Sequence, residues 1–181
     1  MGYKERDNME GYSIEKNMVI LCDTREKKKE HITKVWDEKN IKYKEQKLLT
    51  GDYSFTLDGI NLEYEIVIER KASLDELCLN FTKTRERFER EFIRADLKKT
   101  FMFLLIENAT MQDIINHNYR SKMHPNSLIG SLKSWKEKYN IYLVFCQRDK
   151  VAIYILETFK RYIKKYLLKD SIDNKIIDLK E

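Results

Sequence analysis

Apolar residues in this chain gather into short runs, and their spacing switches between two periods. "MVILC" (18–22) is an unbroken apolar run of strand length. Ile32, Val35 and Trp36 then recur at helical spacing, which predicts a helix over 27–39. "IKYKEQKLL" (41–49), "YSFTL" (53–57) and "LEYEIVIERK" (62–71) read as strands, and "TFMFLLIE" (100–107) is the most apolar of the set. A long helix is predicted over 82–99, with Phe81, Phe88, Phe92 and Ala95 on one core-facing arc. A helix after Pro125, a strand "IYLVF" (141–145) and a closing helix over 149–168 complete the pattern. Strands and helices alternate around one mixed sheet, so the fold class is α/β. Residues 1–16 are polar without periodicity and read as a loose arm, 17–169 as one domain and 170–181 as a tail.

Composition adds limits rather than an answer. With 181 residues and 42% hydrophobic content the chain can bury a proper core, and one proline and five glycines mark no linker. The formal charge of +5 permits a polyanionic partner without requiring one. Between Arg148 and Lys169 seven Lys and Arg face two acids, Asp149 and Glu157, so the excess is concentrated late in the chain. Cys22, Cys78 and Cys146 are far apart and odd in number, which points to neither a disulfide framework nor a metal knot. Cys22 and Cys146 sit in apolar runs and read as buried thiols. No apolar stretch reaches membrane-spanning length, and the hydrophilic start is no signal peptide.

The strand "EIVIERK" poses the chemical question, because it ends in three charges. Side chains alternate along a strand, so Glu69 and Lys71 share a face and Arg70 takes the other. "TGDY" (50–53) puts Asp52 at the start of the neighbouring strand, behind a glycine that allows close approach. A two-residue turn at Asp58-Gly59 would pair Asp52 with Glu65. A four-residue loop, Gly59–Leu62, pairs Asp52 with Glu69, and is the arrangement expected here. Two facing carboxylates repel unless a cation neutralises them. Hard oxygen ligands without nearby His or Cys suit Mg²⁺ or Mn²⁺. Lys71 beside such a metal would orient or deprotonate a water, or stabilise charge on a phosphate. A solvated strand end with surface ion pairs is the bland alternative for a lone Glu-x-Lys.

In chain order "LCDTREKK", "LLTGDYSF" and "IERKASLDEL" resemble the nuclease domain of the XPF family of structure-selective endonucleases, with its GDx(n)ERKxxxD signature. Gly51, Asp52, Glu69, Arg70, Lys71 and Asp75 carry that signature, and the likeness runs on through "FTKTRERFERE" and "SLIGSLKSWKEKYNIYLVF". The resemblance implies a restriction-endonuclease-like mixed central sheet flanked by helices, and a divalent-metal-dependent DNA endonuclease. Asp52 and Glu69 would ligate Mg²⁺, with Mn²⁺ as substitute, the Arg70 carbonyl contributing and Asp23 an accessory acid. Lys71 would be the catalytic lysine. Asp75 and Glu26 are accessory candidates with structural alternatives, since Ser73 and Glu76 frame a capping box around Asp75 and Glu26 can open a helix. Arg25 is a further accessory candidate. Arg85 falls inside the apolar arc of the long helix, where a buried guanidinium needs an anion, and is expected at the site. Lys83, Arg87, Arg90 and Arg94 form another stripe, able to track DNA phosphates or simply to face solvent. Arg120 and Lys122, in the polar loop 118–125, are DNA-contact candidates, whereas His117 and His124 lack a zinc ligand set.

The tandem helix-hairpin-helix module that usually follows such a domain has no counterpart here. The chain therefore resembles stand-alone bacterial and phage versions, which implies the cytoplasm of a bacterial or phage-infected cell. Branched and simple duplex DNA are both open as substrates, and RNA is open on chemistry alone. The alternative is a catalytically silent DNA-binding or assembly subunit, against which the intact Asp52, Glu69 and Lys71 argue. A homodimer is expected through the closing helix, whose Ala152, Leu156, Phe159, Ile163 and Tyr166, flanked by Tyr154, Ile155 and Tyr162, make a wide apolar surface.

Overall fold

One turn of helix, α1 (Ile14–Asn17), leads into β1 (Met18–Cys22), the unbroken apolar run. The computed structural model describes residues 13–167; the rest of the expected arm and the 170–181 tail lie outside them. α2 (Glu30–Glu38) starts later than its periodicity predicts. The charges ahead of it are held in a loop instead: Lys27 Nζ donates to the Thr24 carbonyl and the Lys28 amide to Glu26 Oε1, both at 2.8 Å. β2 (Tyr43–Glu45) is shorter than the expected 41–49 strand. Beyond it the chain is drawn onto the end of β1, the Gln46 amide donating to the Cys22 carbonyl and the Leu48 amide to Asp23 Oδ2.

The hairpin takes the tight turn weighed from sequence and yet reaches the register expected of the longer loop. β3 (Tyr53–Leu57) turns tightly at Asp58-Gly59, with φ of 52° and 83°, into β4 (Ile60–Asn61), and Leu57 pairs with Ile60. The expected Gly59–Leu62 loop is therefore not formed. β4 stops at once, a turn over residues 62–65 intervenes, and β5 (Ile66–Lys71) pairs Ile68 with Tyr53. That second turn restores the expected register, with Asp52 opposite Glu69.

The predicted long helix is two helices, α3 (Leu74–Thr82) and α4 (Arg85–Leu97), broken at Lys83-Thr84. β6 (Phe101–Glu107), α5 (Met111–Ile115), α6 (Pro125–Tyr139), β7 (Tyr142–Cys146) and α7 (Val151–Tyr162) follow. The sheet runs β2-β1-β3-β5-β6-β7, with β4 appended to β3. β1–β3 and β3–β5 are antiparallel; β1–β2, β5–β6 and β6–β7 are parallel. The sheet is thus mixed and the class α/β, as expected.

Each face has its own core. On one, Phe81, Phe88, Phe92 and Trp135 from α3, α4 and α6 cluster with centroids 4.7 to 5.8 Å apart. Such ring pairs add about 0.5–1.5 kcal/mol each beyond burial. On the other, α2 and α7 pack over Ile20, Phe55 and Ile68, and Trp36 Nε1 donates to the Ala152 carbonyl at 3.0 Å. α7 buries Ala152, Ile155, Leu156, Phe159 and Tyr162 in this core. Its wide apolar surface serves the sheet and α2 at once, so the helix seam expected to pair two copies is internal from Ala152 to Ile163, while the Tyr166 side chain lies outside what is described. Cys146, on the edge strand, is only partly buried, unlike Cys22.

Candidate active site

The loop carrying Asp52 is fixed by what Gly51 lacks. Gly51 has φ +74°, and a Cβ there would stand 2.9 Å from Val67 Cβ and 3.2 Å from the Ile68 carbonyl oxygen. The backbone can therefore press against β5, where the Asp52 amide donates to the Ile68 carbonyl at 2.9 Å. The Arg70 amide returns a hydrogen bond to Asp52 Oδ2 at 2.8 Å. Across the strands stands Glu69, and Lys71 Nζ lies 2.6 Å from Glu69 Oε1 and 4.7 Å from the centroid of the Phe88 ring.

These groups form the floor of a cavity of about 440 Å³. Burial, then the nearby Glu69 charge, pushes the Asp52 carboxyl well above its ordinary range. Burial also raises Glu69, against the pull of Lys71. Burial opposes the Lys71 charge too, but Glu69 and Asp52 outweigh it and hold the ammonium above its ordinary value. Lys71 in this arrangement is a fixed positive charge rather than a base. Among the described residues no three His, Cys, Asp or Glu side chains are gathered closely enough to hold a metal alone. The donor set nonetheless fits Mg²⁺ or Mn²⁺, ions that keep several waters and take one or two carboxylates. Asp52, whose ionisation is opposed by its neighbour, is the group a cation would relieve.

The other expected residues divide sharply. Arg25 and Glu26 line the cavity. Asp23 does not: its carboxylate accepts from the Arg25 amide, Nε and Nη2 and from the Leu48 amide, at 2.7 to 3.0 Å. Expected as an accessory acid, Asp23 is engaged by four donors in the manner of a structural clamp. The Arg70 side chain leaves the cavity for the opposite face, as alternation requires, and reaches Glu107. Asp75 is drawn to the 117–124 loop, accepting from the Arg120 and Ser121 amides at 2.8 Å and from Arg120 Nε at 3.1 Å. Burial works against that carboxylate, but the Arg120 and backbone bonds prevail and lower its pKa. Ser73 caps α3, accepting from the Glu76 amide, while Glu76 returns to the Ala72 amide rather than to Ser73.

Arg85 is exposed, 5.6 Å from the Trp135 ring centroid, and stands outside the cavity. The break at Lys83-Thr84 makes it the first residue of α4, with no preceding turn to cover it. Arg87 lines the cavity in its place, as do Lys27 and Lys28 of the β1–α2 loop. Lys83, Arg90, Arg120 and Lys122 are exposed and lie off the cavity wall. Arg94 is engaged with Glu91 and Thr50. Sequence reasoning missed Lys27, Lys28 and Glu91 as wall residues; the lysine run after the first strand was the available signal.

Strand order, carboxylate pair and lysine together define a restriction-endonuclease-like α/β domain of the XPF nuclease fold. The chain belongs to the ERCC4 domain family, whose model matches residues 22–159. XPF from Aeropyrum pernix superposes with a TM-score of 0.59 at 19% identity, over 79% of this chain and 60% of that one. A second structure, XPF from Aeropyrum pernix in complex with DNA, gives 0.59 and 19% over 81% and 65%. This chain thus spans less than two thirds of either. No curated protein sequence matches it.

Proposed function

We propose that the chain is a divalent-metal-dependent DNA endonuclease that hydrolyses phosphodiester bonds in branched or duplex DNA. The observation that carries this reading is the Asp52–Glu69 pair, facing across two strands with Lys71 bound to Glu69, on the floor of a cavity walled by Arg25, Lys27, Lys28 and Arg87. A bound Mg²⁺ or Mn²⁺ supplies a Lewis acid and an activated water there. Asp52 and Glu69 hold that ion. Lys71 offsets charge on the phosphate, and the basic walls hold the strand by its backbone. The complex of the similar fold with DNA supports DNA as the polymer. A homodimer belongs to the reading too, placed on the groove that Phe101, Phe103, Tyr142 and Tyr154 line beside the β7 edge, where Tyr142 is 43% exposed. No helix among the described residues is long and apolar enough to cross a membrane.

The test is incubation with labelled duplex, flap, fork and junction DNA in Mg²⁺, Mn²⁺ or EDTA. Cleavage in either metal and none in EDTA is expected, and Glu69→Gln should abolish it. Undiminished cutting by that variant, or cutting in EDTA, overturns the assignment. A light-scattering mass that stays at the monomer value at all concentrations removes the dimer.

A further inference from the structure

The closed face of the sheet holds a second charged cluster, directly behind the cavity. Arg70, 2% exposed, places Nε 2.7 Å from Glu107 Oε1. Glu107 is completely buried at the end of β6 and also meets His31 Nε2 of α2 at 2.8 Å. The guanidinium also places Nη1 3.2 Å from Glu26 Oε2. Among the described residues Arg70 Nη2, Glu107 Oε2, His31 Nδ1 and the Tyr53 hydroxyl have no hydrogen-bonding partner. A buried ionic cluster so incompletely paired is poor at stabilising a fold, and an apolar replacement often does better. Its place in the molecule gives it another use. The Arg70 amide aims Asp52, and Glu26, its second anion, lines the cavity.

We propose that Glu107 and His31 are positioning residues for the carboxylate site, acting through Arg70. The inference rests on the reading of Asp52 and Glu69 as the metal-holding pair. Glu107 gives the guanidinium a close anion of its own, so the longer contact to Glu26 can yield and Glu26 can face a cation in the cavity. It also anchors the end of β5, from which the Arg70 amide holds Asp52. His31 orients the Glu107 carboxylate from the solvent side, the proton lying on Nε2 because a carboxylate only accepts. Without Glu107, Glu26 becomes the anion that Arg70 holds among the described residues, and Arg70 draws it away from the cavity.

Mn²⁺ titration of the full chain, read by calorimetry well below the melting midpoint, tests this directly. Glu107→Gln should weaken Mn²⁺ binding about 10-fold or more, the size found for groups that orient metal ligands. Its kcat for DNA cleavage should fall while KM for DNA stays within about twofold. His31→Leu should weaken Mn²⁺ binding in the same direction, and His31→Gln, which keeps a donor to Glu107, should restore it. Binding by Glu107→Gln within about twofold of wild type overturns the proposal, even if the variant melts earlier, because a purely structural role predicts that result. If Glu107→Gln does not fold, the His31 pair decides: equal Mn²⁺ affinity for Leu and Gln overturns it. Asp52→Asn keeps the two readings apart, since retained Mn²⁺ binding there defeats the metal assignment itself.

Discussion

Asp23 and Asp52 end neighbouring strands and are tied together by one backbone hydrogen bond, from the Asp23 amide to the Asp52 carbonyl at 2.7 Å. Their side chains meet opposite fates. Asp23 is buried among four donors, and although burial opposes its charge, the Arg25 and backbone bonds lower its pKa. Asp52 has one backbone donor, and burial, then the facing Glu69 carboxylate, raises its pKa. The first is satisfied and has nothing to offer a ligand. The second is short of positive charge, and that shortage is what suits it to a metal. Two aspartates at strand ends look alike in a string of letters, and the donors around each separate clamp from ligand.

Substitutions that treat the two alike should give unlike results. Asp52→Asn should lower single-turnover cleavage by about 10³-fold, whereas Asp23→Asn should keep it within about tenfold once folded. Thermal melting should invert the order. Asp52 binds its proton more tightly folded than unfolded, so its stability cost sets in above the ordinary value of 3.8 and is full above the raised one. Asparagine removes that cost, so at neutral pH the variant should melt at or above the wild type. Asp23→Asn breaks charge-assisted bonds, costing about 2 kcal/mol, or roughly 4–8 °C for a chain of this size. Equal melting points for the two variants would erase the distinction.

Lys71→Ala sharpens the same contrast, because it strips Asp52 and Glu69 of their cation and leaves the Asp23 clamp untouched. Turnover should fall by about 10²-fold or more while DNA affinity changes little. Loss of affinity with full maximal rate would make Lys71 a phosphate anchor only. The smallest effect separates Arg87 from Arg85. Alanine at Arg87, on the cavity wall, should raise KM for DNA several-fold and flatten its salt dependence. Alanine at Arg85, stacked on Trp135, should leave KM unchanged, and the reverse outcome would return the site arginine to Arg85.

Much of this site was legible in the letters. Alternation alone put Glu69 and Lys71 on one face and Arg70 on the other; the register of Asp52 opposite Glu69 was expected from a Gly59–Leu62 loop and is reached instead by two successive turns. The misses share a cause: they depend on partners that periodicity does not register. Asp23 is taken by Arg25, two residues on, and by Leu48, which a bent loop brings back to it. Arg85 keeps its helical spacing to Phe88, Phe92 and Ala95 within α4, but as the first residue of that helix it is exposed, which spacing alone does not register. Glu107 closes the most apolar strand, and nothing in that run tells a buried anion from a solvated strand end. Lys27 and Lys28 were assigned to a helix that begins after them.

The interrupted hairpin carries a consequence for how the chain reaches its active form. The tight turn pairs Leu57 with Ile60, and zipping onward from it would set Tyr53 against Tyr64 and Asp52 against Glu65. The native pairing of Tyr53 with Ile68 lies four residues further along, an even offset, so every side chain keeps its face in either arrangement. Hydrophobic burial therefore discriminates weakly between the two, although the slipped one leaves Glu69 about 13 Å from Asp52. Folding must thus choose between a nucleus that forms locally and quickly and a pairing that waits for β5 to dock on β6. A chain caught in the first would be compact and helical by circular dichroism, and catalytically dead.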